Sequence, residues 1–282
     1  MLRSLYYILF RNQRILSGKK AIRGVVNLEY WKEAINLGDT LAWVVYDWML
    51  KRENISASAK VKRTKHILTI GSVLGMGPFP FSAVVWGSGI HRFDSIRGLS
   101  KYRCIRKLDI RAVRGPVTRA ILEGVGYACP EVYGDPAILM PLIYSSPCAY
   151  NAENKISVIR HFSMADEVLP DGVEALDIRT DNYKAFIDEI CSSGKVISSS
   201  LHGIILAESY GVPAIFLQEN MDSEILKFYD WYYSTNRKNI RIAYSVEEAI
   251  GMQPMPLPEL SAMREKLLET FPYDMWRSAK RK

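Results

Sequence analysis

The chain has 282 residues, of which 48% are hydrophobic, 24% charged and 11% aromatic. This length allows two domains of about 140 residues, each with its own core, and the composition excludes long disorder and fibrous repeats. The formal net charge of +7 favours an anionic partner, which would be a phosphate-bearing substrate, an acidic membrane surface or nucleic acid.

The N-terminal segment and the cysteines restrict the cellular setting. The apolar run at 6–10 is too short for a signal-peptide core or a membrane span, and no small-residue cleavage site follows it. The four cysteines are widely spaced without a C-x-x-C pair, so we interpret them as reduced structural thiols and expect no metal site. The sequence predicts a cytoplasmic protein.

Much of the positive charge lies at the two ends of the chain, at 3–23 and 277–282. Basic termini favour peripheral contact with the inner face of a membrane, although a frayed or docked helix is an alternative for the first twenty residues. A nucleic-acid-binding protein would need a continuous basic stripe with exposed aromatic residues. Because the charge here is scattered or terminal, we expect no nucleic-acid partner.

In the first half of the chain, apolar runs rich in β-branched residues alternate with helical patterns. This alternation is typical of a parallel sheet with crossover helices. We predict one Rossmann-like domain over residues 1–145. Its predicted strands are 25–28, 66–70, 83–86 and 109–113, and its predicted helices are 39–51 and 116–123.

The second half repeats this pattern, which predicts a second Rossmann-like domain over residues 146–282. Prolines and small polar residues at 141–154 interrupt both periodicities, so we place the boundary there. The last helix is expected to return to the first domain. The predicted strands are 155–159, 195–198 and 214–217, and the predicted helices are 182–191, 203–210, 222–233 and 259–270.

A hydroxyl-rich turn in the second half suits the binding of an anion. Ser198, Ser199 and Ser200 follow a predicted strand and precede a helix, whose first turn has free backbone N–H groups and a positive dipole end. His202, in that turn, can donate a proton or pair with a phosphate. The alternative is that Ser200 only caps the helix and His202 is a surface or packed residue.

Two charged residues in the first half are candidates for the same site. Arg114 ends a predicted strand, which places it at the crevice where open α/β sheets bind ligands, and its guanidinium suits a carboxylate or a phosphate. Asp135 lies between a glycine and a proline. It is either a turn former or a catalytic carboxylate.

Glycine-containing loops follow other strands of the predicted first sheet. Asn36, Gly38 and Asp39 open the first helix, where Asp39 is either a helix cap or a ligand-facing group. Gly87 and Ser88 follow the third strand. Loops of this kind at the ends of parallel strands would line a single cleft, although their spacing matches neither a P-loop nor a dinucleotide-binding motif.

In this order and spacing, five segments resemble the polysaccharide pyruvyl transferase family. The resemblance implies a GT-B-like fold with two Rossmann-like domains facing a cleft. It also implies phosphoenolpyruvate as the donor with no cofactor, and a pyruvate ketal formed on a sugar of an exopolysaccharide, capsule or cell-wall precursor, which would be free or lipid-linked. The segments are 36–39, 111–116, 134–137, 199–203 and 211–213.

The chemistry of phosphoenolpyruvate, which requires the binding of two anions, one proton donor and a proton acceptor, suggests roles for individual residues. His202 would be the general acid, and His161 or Asp135 the base. Many family members have arginine where this chain has Ser200, so Arg160 is the predicted replacement for that charge. The residues expected to bind the donor's anions are Arg114, Arg160, Ser199, Ser200 and Leu201, and the further substrate-binding candidates are Asn36, Gly38, Asp39, Gly87 and Ser88.

Two other functions remain open at this point. A GT-B glycosyltransferase that uses a nucleotide sugar would share the architecture, although no base-reading or ribose-binding pattern is evident. A non-catalytic basic protein that binds a glycan or a nucleic acid belongs to another class, and it would require the continuous basic stripe that the sequence lacks.

Overall fold

The computed structural model describes residues 21–32, 34–75, 82–101, 103–148, 155–164, 168–219 and 225–277. Several sequence predictions lie outside these ranges: the apolar run at 6–10, the basic positions 3–20 and 280–282, and the start of the helix predicted at 222. Among the described residues, no helix combines the length and the apolar character needed to cross a membrane.

The first half contains a four-stranded sheet in which all neighbours are parallel and the spatial order follows the chain order. Every residue of the first and third strands is buried, as expected for a parallel sheet covered on both faces. The strands are β1 (Val26–Glu29), β2 (Lys65–Leu68), β3 (Ala83–Trp86) and β4 (Leu108–Ala112).

Two helices of the first half begin at residues that favour a helix start. The Asn36 side chain caps α1 by accepting a hydrogen bond from the Gly38 N–H at 3.2 Å, and Pro116 occupies the first turn of α3. The helices are α1 (Leu37–Arg52), α2 (Asp94–Lys101), α3 (Pro116–Gly124), a 3₁₀ helix (Pro136–Leu139) and α4 (Met140–Ile143).

The second sheet has five parallel strands, and its strand order reverses at β5. The order is β6-β5-β7-β8-β9, so the topological switch point lies between β5 and β7, where open sheets of this kind bind ligands. The predicted α/β class with parallel sheets is confirmed. The strands are β5 (Ile156–Ile159), β6 (Val173–Ala175), β7 (Lys195–Ser198), β8 (Ala214–Leu217) and β9 (Ile242–Ala243).

Six helices accompany the second sheet or follow it. One of them, α7 (Ile225–Ser234), packs against α3 of the first half. The helices are α5 (Tyr183–Cys191), α6 (Leu201–Ser209), α7 (Ile225–Ser234), α8 (Val246–Gly251), α9 (Ser261–Thr270) and α10 (Asp274–Arg277).

The C-terminal segment lies against the first sheet. The Trp86 indole N–H donates to the Leu267 carbonyl at 3.0 Å, and the Trp86 ring packs edge-on against Phe271 at 4.9 Å between centroids. The Lys65 ammonium donates to the Met275 carbonyl at 2.8 Å. The segment 267–275 therefore contacts the first half of the molecule.

A buried ion pair joins the two halves of the molecule. The Nε of Arg114, at the end of β4, lies 3.1 Å from an Oδ of Asp230 on α7, and each side chain is only 1% exposed. The Thr118 N–H and hydroxyl both donate to the same carboxylate, at 2.9 and 2.7 Å. A second link is the 3.0 Å hydrogen bond from the Leu37 N–H to the Ile178 carbonyl. The domain division at 145/146 stays a prediction, and one apolar cluster contains residues of both sheets.

The buried pair predicts a large effect of removing one partner. Asp230→Ala would leave the Arg114 guanidinium buried without its counter-charge, so we expect the free energy of unfolding to fall by about 3–5 kcal/mol. Asp274→Ala is the matched control. It removes a partly exposed partner of Arg111, and such pairs contribute less than about 1 kcal/mol. Denaturant unfolding measures both, and equal losses would contradict the assignment.

Candidate active site

The switch point of the second sheet brings together residues from two neighbouring strands. Arg160 and His161 follow β5, and Ser199 and Ser200 follow β7. The His161 N–H donates to the Ser199 hydroxyl oxygen at 3.0 Å. Four residues predicted from the sequence to bind or react therefore lie at one edge of one sheet.

A carboxylate from β8 completes this group. Glu219 accepts a hydrogen bond from the Ser199 hydroxyl at 2.8 Å, and its other oxygen lies 3.0 Å from an Nη of Arg160. Both charged side chains are largely buried, at 17% and 12% exposed. Glu219 was not predicted from the sequence, although its position two residues beyond a buried strand was the available signal. Arg160 and Ser199 thus already bind one carboxylate of the protein, that of Glu219, at this edge of the sheet.

A cavity of about 230 Å³ adjoins Arg160. It is smaller than the range of about 300–1,000 Å³ that is typical of sites for drug-sized ligands, so it suits a small molecule. The sequence analysis also missed Arg179, which lines this cavity from the segment after β6. The lining includes Arg160, His161, Phe162, Leu176, Ile178 and Arg179.

Next to this edge, three titratable side chains from different elements meet. His202, in the first turn of α6, places its Nε2 3.6 Å from an Oδ of Asp135. Neither of these two buried atoms has a hydrogen-bond partner among the described residues, while the other Asp135 oxygen accepts from the Ala137 N–H at 3.0 Å. A Cβ at Gly38 would lie 2.0 Å from the His202 Nδ1. The imidazole is therefore enclosed between α1 and the Asp135 turn.

Asp39, one residue beyond Gly38, is the third of these groups. Burial raises the pKa of its carboxyl from 3.8 to about 7, against the opposing effects of His202, of a hydrogen bond with Asn36 and of Lys227. A carboxyl with a pKa near neutrality is suited to proton transfer at physiological pH. Lys227, on α7 and only 6% exposed, is a further residue that the sequence analysis missed.

The two parts of the site are adjacent. Ile178 lines the cavity, and its carbonyl accepts the Leu37 N–H, next to the glycine that His202 contacts. Ser199 and His202 are only three residues apart. The edge that carries Arg160 and Ser199 and the cluster of His202, Asp135 and Asp39 therefore lie side by side at the contact between the two halves.

A family model described as polysaccharide pyruvyl transferase matches residues 77–220, just over half of the chain. The chain belongs to the polysaccharide pyruvyl transferase family. Family membership supports pyruvyl transfer on polysaccharide in general. The matched region contains Arg114, Asp135, Arg160 and the 199–202 segment, whereas Asp39 lies outside it.

Individual relatives of this family member are distant. The succinoglycan biosynthesis protein ExoV of Rhizobium meliloti is 27% identical over 214 residues, which cover 72% of this chain and 62% of ExoV. The protein L143 of Acanthamoeba polyphaga mimivirus is 24% identical over 228 residues, 74% of each chain. A solved structure from Klebsiella pneumoniae matches with a TM-score of 0.52 at 13% identity, covering 86% of this chain and 96% of that one. That likeness concerns the fold alone.

Arg114 occupies a different environment from the open crevice predicted for it. Besides the Asp230 contact, its two Nη atoms donate to the Ser72 hydroxyl at 2.5 Å and to the Ile90 carbonyl at 2.9 Å. A ligand would have to displace these protein groups from a side chain that is 1% exposed. The local pattern located the strand end correctly, but only the packing of α7 determines what the guanidinium contacts. Its substrate-binding role stays a prediction.

The other predicted binding residues of this pyruvyl transferase family member differ in what they can offer a ligand. The Ser88 hydroxyl donates to the Gly71 carbonyl at 2.8 Å, and the Leu201 side chain is in the core. Gly87 has a φ of +85°, and a Cβ there would lie 2.3 Å from Pro136. Ser200 precedes α6 without a capping hydrogen bond from its side chain. The binding roles of these residues stay predictions.

The raised pKa of Asp39 predicts a specific dependence of stability on pH. Between pH 3.8 and about 7 the folded chain holds this proton more tightly than the unfolded chain, so stability falls as the pH rises through this range. The loss reaches at most about 4 kcal/mol. We expect Asp39→Asn to raise the melting temperature, and to raise it more at about pH 8 than at about pH 5.

Thermal unfolding of the parent and Asp39→Asn in matched buffers measures this effect. Asp274→Asn, at a position 58% exposed, is the control for a change of net charge. A stabilisation that is the same at both pH values would show that Asp39 is ionised alike in the folded and unfolded chains.

Proposed function

We propose that this chain transfers pyruvate from phosphoenolpyruvate, as a ketal, onto a sugar of an exopolysaccharide, capsule or cell-wall precursor. Family membership supports pyruvyl transfer on polysaccharide in general. The observation that carries the proposal is one juxtaposition: Arg160 at a small cavity, with His202, Asp135 and Asp39 clustered beside it. This reaction needs anion binding, one proton donor and a proton acceptor.

The chemistry of the donor defines these requirements. Protonation of the methylene carbon of phosphoenolpyruvate leaves a cationic centre at carbon two, and a sugar hydroxyl forms a C–O bond there and loses its proton. The C–O bond to phosphate then breaks, and a second hydroxyl attacks and loses its proton as the ketal closes. One proton is donated to carbon and two are removed from oxygen.

We assign proton donation to His202. The Asp135 carboxyl, which is 0% exposed, lies 3.6 Å from the His202 Nε2, so it can orient the imidazole for proton transfer. The other Asp135 oxygen accepts a hydrogen bond from the Ala137 N–H. This contact argues against Asp135 as the base for a sugar hydroxyl.

We assign proton removal to Asp39. The pKa of about 7 that burial gives this carboxyl allows it to accept a proton near neutral pH and to release it afterwards. His161, the other candidate base, lies 2.8 Å from the Ser163 hydroxyl through its Nδ1 and lines the cavity. That position suits contact with the donor better than removal of a proton from a hydroxyl of the acceptor sugar.

The donor's anionic groups would contact Arg160, the Ser200 hydroxyl and the N–H groups at the start of α6, including that of Leu201. The Ser199 hydroxyl would join them by exchanging its hydrogen bond to Glu219 for one to the donor. Glu219 holds Arg160 and Ser199 in place before the donor arrives. A phosphate in this position would leave next to the positive end of the α6 dipole, which stabilises its developing charge.

Donor binding and product formation test the proposal directly. Phosphoenolpyruvate should raise the melting temperature of the parent protein by mass action, whereas uridine and guanosine diphosphates should not. With a panel of hexosides as acceptors, mass spectrometry should detect a pyruvate ketal. His202→Ala should retain the thermal shift and lose about 100- to 10,000-fold in rate.

Two results would contradict this assignment. A thermal shift with a nucleoside diphosphate alone would favour the nucleotide-sugar glycosyltransferase. A folded His202→Ala protein with the parent rate would exclude His202 as the acid.

The packing of His202 against Gly38 predicts a second effect on activity. In Gly38→Ala, the new Cβ would collide with the imidazole at 2.0 Å and displace it from Asp135, so the rate should fall by at least about 10-fold. Gly124→Ala is the matched control, because a Cβ at that helical position meets nothing within 4 Å. Steady-state rates compare the two, and equal activities would show that the imidazole tolerates displacement.

A further inference from the structure

We propose that Arg179 is a second donor-binding guanidinium, and that Arg160 and Arg179 together bind the two anionic groups of one small ligand in the 230 Å³ cavity. The inference rests on the proposed function, because phosphoenolpyruvate carries a carboxylate and a phosphate. It adds a residue that neither the sequence motifs nor the proposal above assigns.

The topology of the second sheet places the two arginines at the same edge. β5 and β6 are parallel neighbours with Val158 opposite Ala175. Arg160 lies two residues beyond Val158, and Arg179 lies four residues beyond Ala175. Since the carboxyl ends of parallel strands face the same side, both side chains border one cavity.

The two guanidinium groups differ in depth. The Arg160 side chain is 17% exposed, while the Arg179 side chain is 39% exposed. The Arg160 guanidinium is therefore better shielded from water than that of Arg179. A ligand with an anionic group at each end would contact both.

Each arginine is already oriented by a carboxylate. Glu219 holds Arg160 at 3.0 Å, and Asp177 accepts from the Arg179 Nε at 2.9 and 3.1 Å and from its backbone N–H at 2.8 Å. These pairs orient the two guanidinium groups before a ligand binds, which lowers the entropy cost of binding.

Much of the cavity wall is apolar, although His161 and Asp177 also line it. Phe162, Leu176 and Ile178 contribute the apolar part, and such a surface suits the uncharged carbon centre of an enol phosphate better than a hydrated sugar. The volume of about 230 Å³ lies below the range of about 300–1,000 Å³ for larger ligands. It therefore favours a small dianion over a nucleoside diphosphate.

The competing interpretation is that Arg179 only forms a surface ion pair with Asp177. The chain contains a matched control for it. Arg111 pairs with Asp109, also two residues earlier, at 2.7 Å and with 33% exposure, but it lies on β4 of the first sheet, away from the cavity. Isothermal titration calorimetry with phosphoenolpyruvate on the parent, Arg179→Met and Arg111→Met separates the two interpretations.

We expect Arg179→Met to weaken phosphoenolpyruvate binding by about 10- to 100-fold, as for loss of a charge-assisted hydrogen bond, and Arg111→Met to change it by less than about 2-fold. Arg179→Lys should recover part of the affinity. Unchanged melting temperatures of the free variants exclude misfolding as the cause. Titrations with pyruvate and with inorganic phosphate identify the anion that Arg179 contacts, since only one of the two should weaken in Arg179→Met.

Two results would overturn the inference while leaving the proposed function intact. In the first, the parent binds phosphoenolpyruvate and Arg179→Met behaves like Arg111→Met. In the second, Arg179→Met weakens pyruvate and phosphate equally, which indicates a general loss of charge. A parent protein that neither binds phosphoenolpyruvate nor forms a ketal would overturn the proposed function and this inference together.

Discussion

The buried ion pair between Arg114 and Asp230 holds the two parallel sheets in one arrangement, and the candidate active site depends on that arrangement. Asp39 belongs to the first half and His202 to the second, so they meet only when the halves are packed together. A buried pair adds little net stability compared with apolar packing, but breaking it is costly. Its contacts to Ser72, Thr118 and the Ile90 backbone therefore act mainly to specify one relative position of the two sheets.

The candidate site differs from the hydrogen-bonded Arg114–Asp230 pair, because some of its buried polar atoms have no partner among the described residues. Oδ2 of Asp135 and Nε2 of His202 are buried without hydrogen-bond partners among the described residues, and burial raises the pKa of Asp39 to about 7. Such groups destabilise a fold, and natural proteins retain them chiefly where function requires them. The well-packed interface around Arg114 offsets this loss of stability. A carboxyl whose pKa lies near 7 is the group that the proposed proton transfer needs.

The edge proposed to bind the donor's anions, with Arg160 and Arg179, differs from this cluster because its charged groups are paired. Its arginines are paired with Glu219 and Asp177 rather than left unsatisfied, so the positive charge is held in position and partly neutralised. A dianionic donor would bind there in competition with, or alongside, these carboxylates, and the affinity would depend on both arginines. Proton transfer and anion binding are thus assigned to two adjacent groups of residues, one between the halves and one at the switch point of the second sheet.

The sequence by itself determined the α/β class, the positions of most long elements and the order of short motifs, because the apolar composition of the strands and the proline that opens α3 are local properties. The cap of α1 is Asn36, and not Asp39, which the sequence suggested for that position. The sequence did not predict β6 and β9, which have only three and two residues and are too short to show a periodicity. Only the tertiary structure decided the contacts of Arg114, whose partner Asp230 is 116 residues away, and the positions of Glu219 beside Arg160 and of Arg179 at the cavity. The pKa of Asp39 likewise depends on burial by distant elements. Local patterns specify which element a residue occupies, whereas its charge state and partners depend on long-range packing.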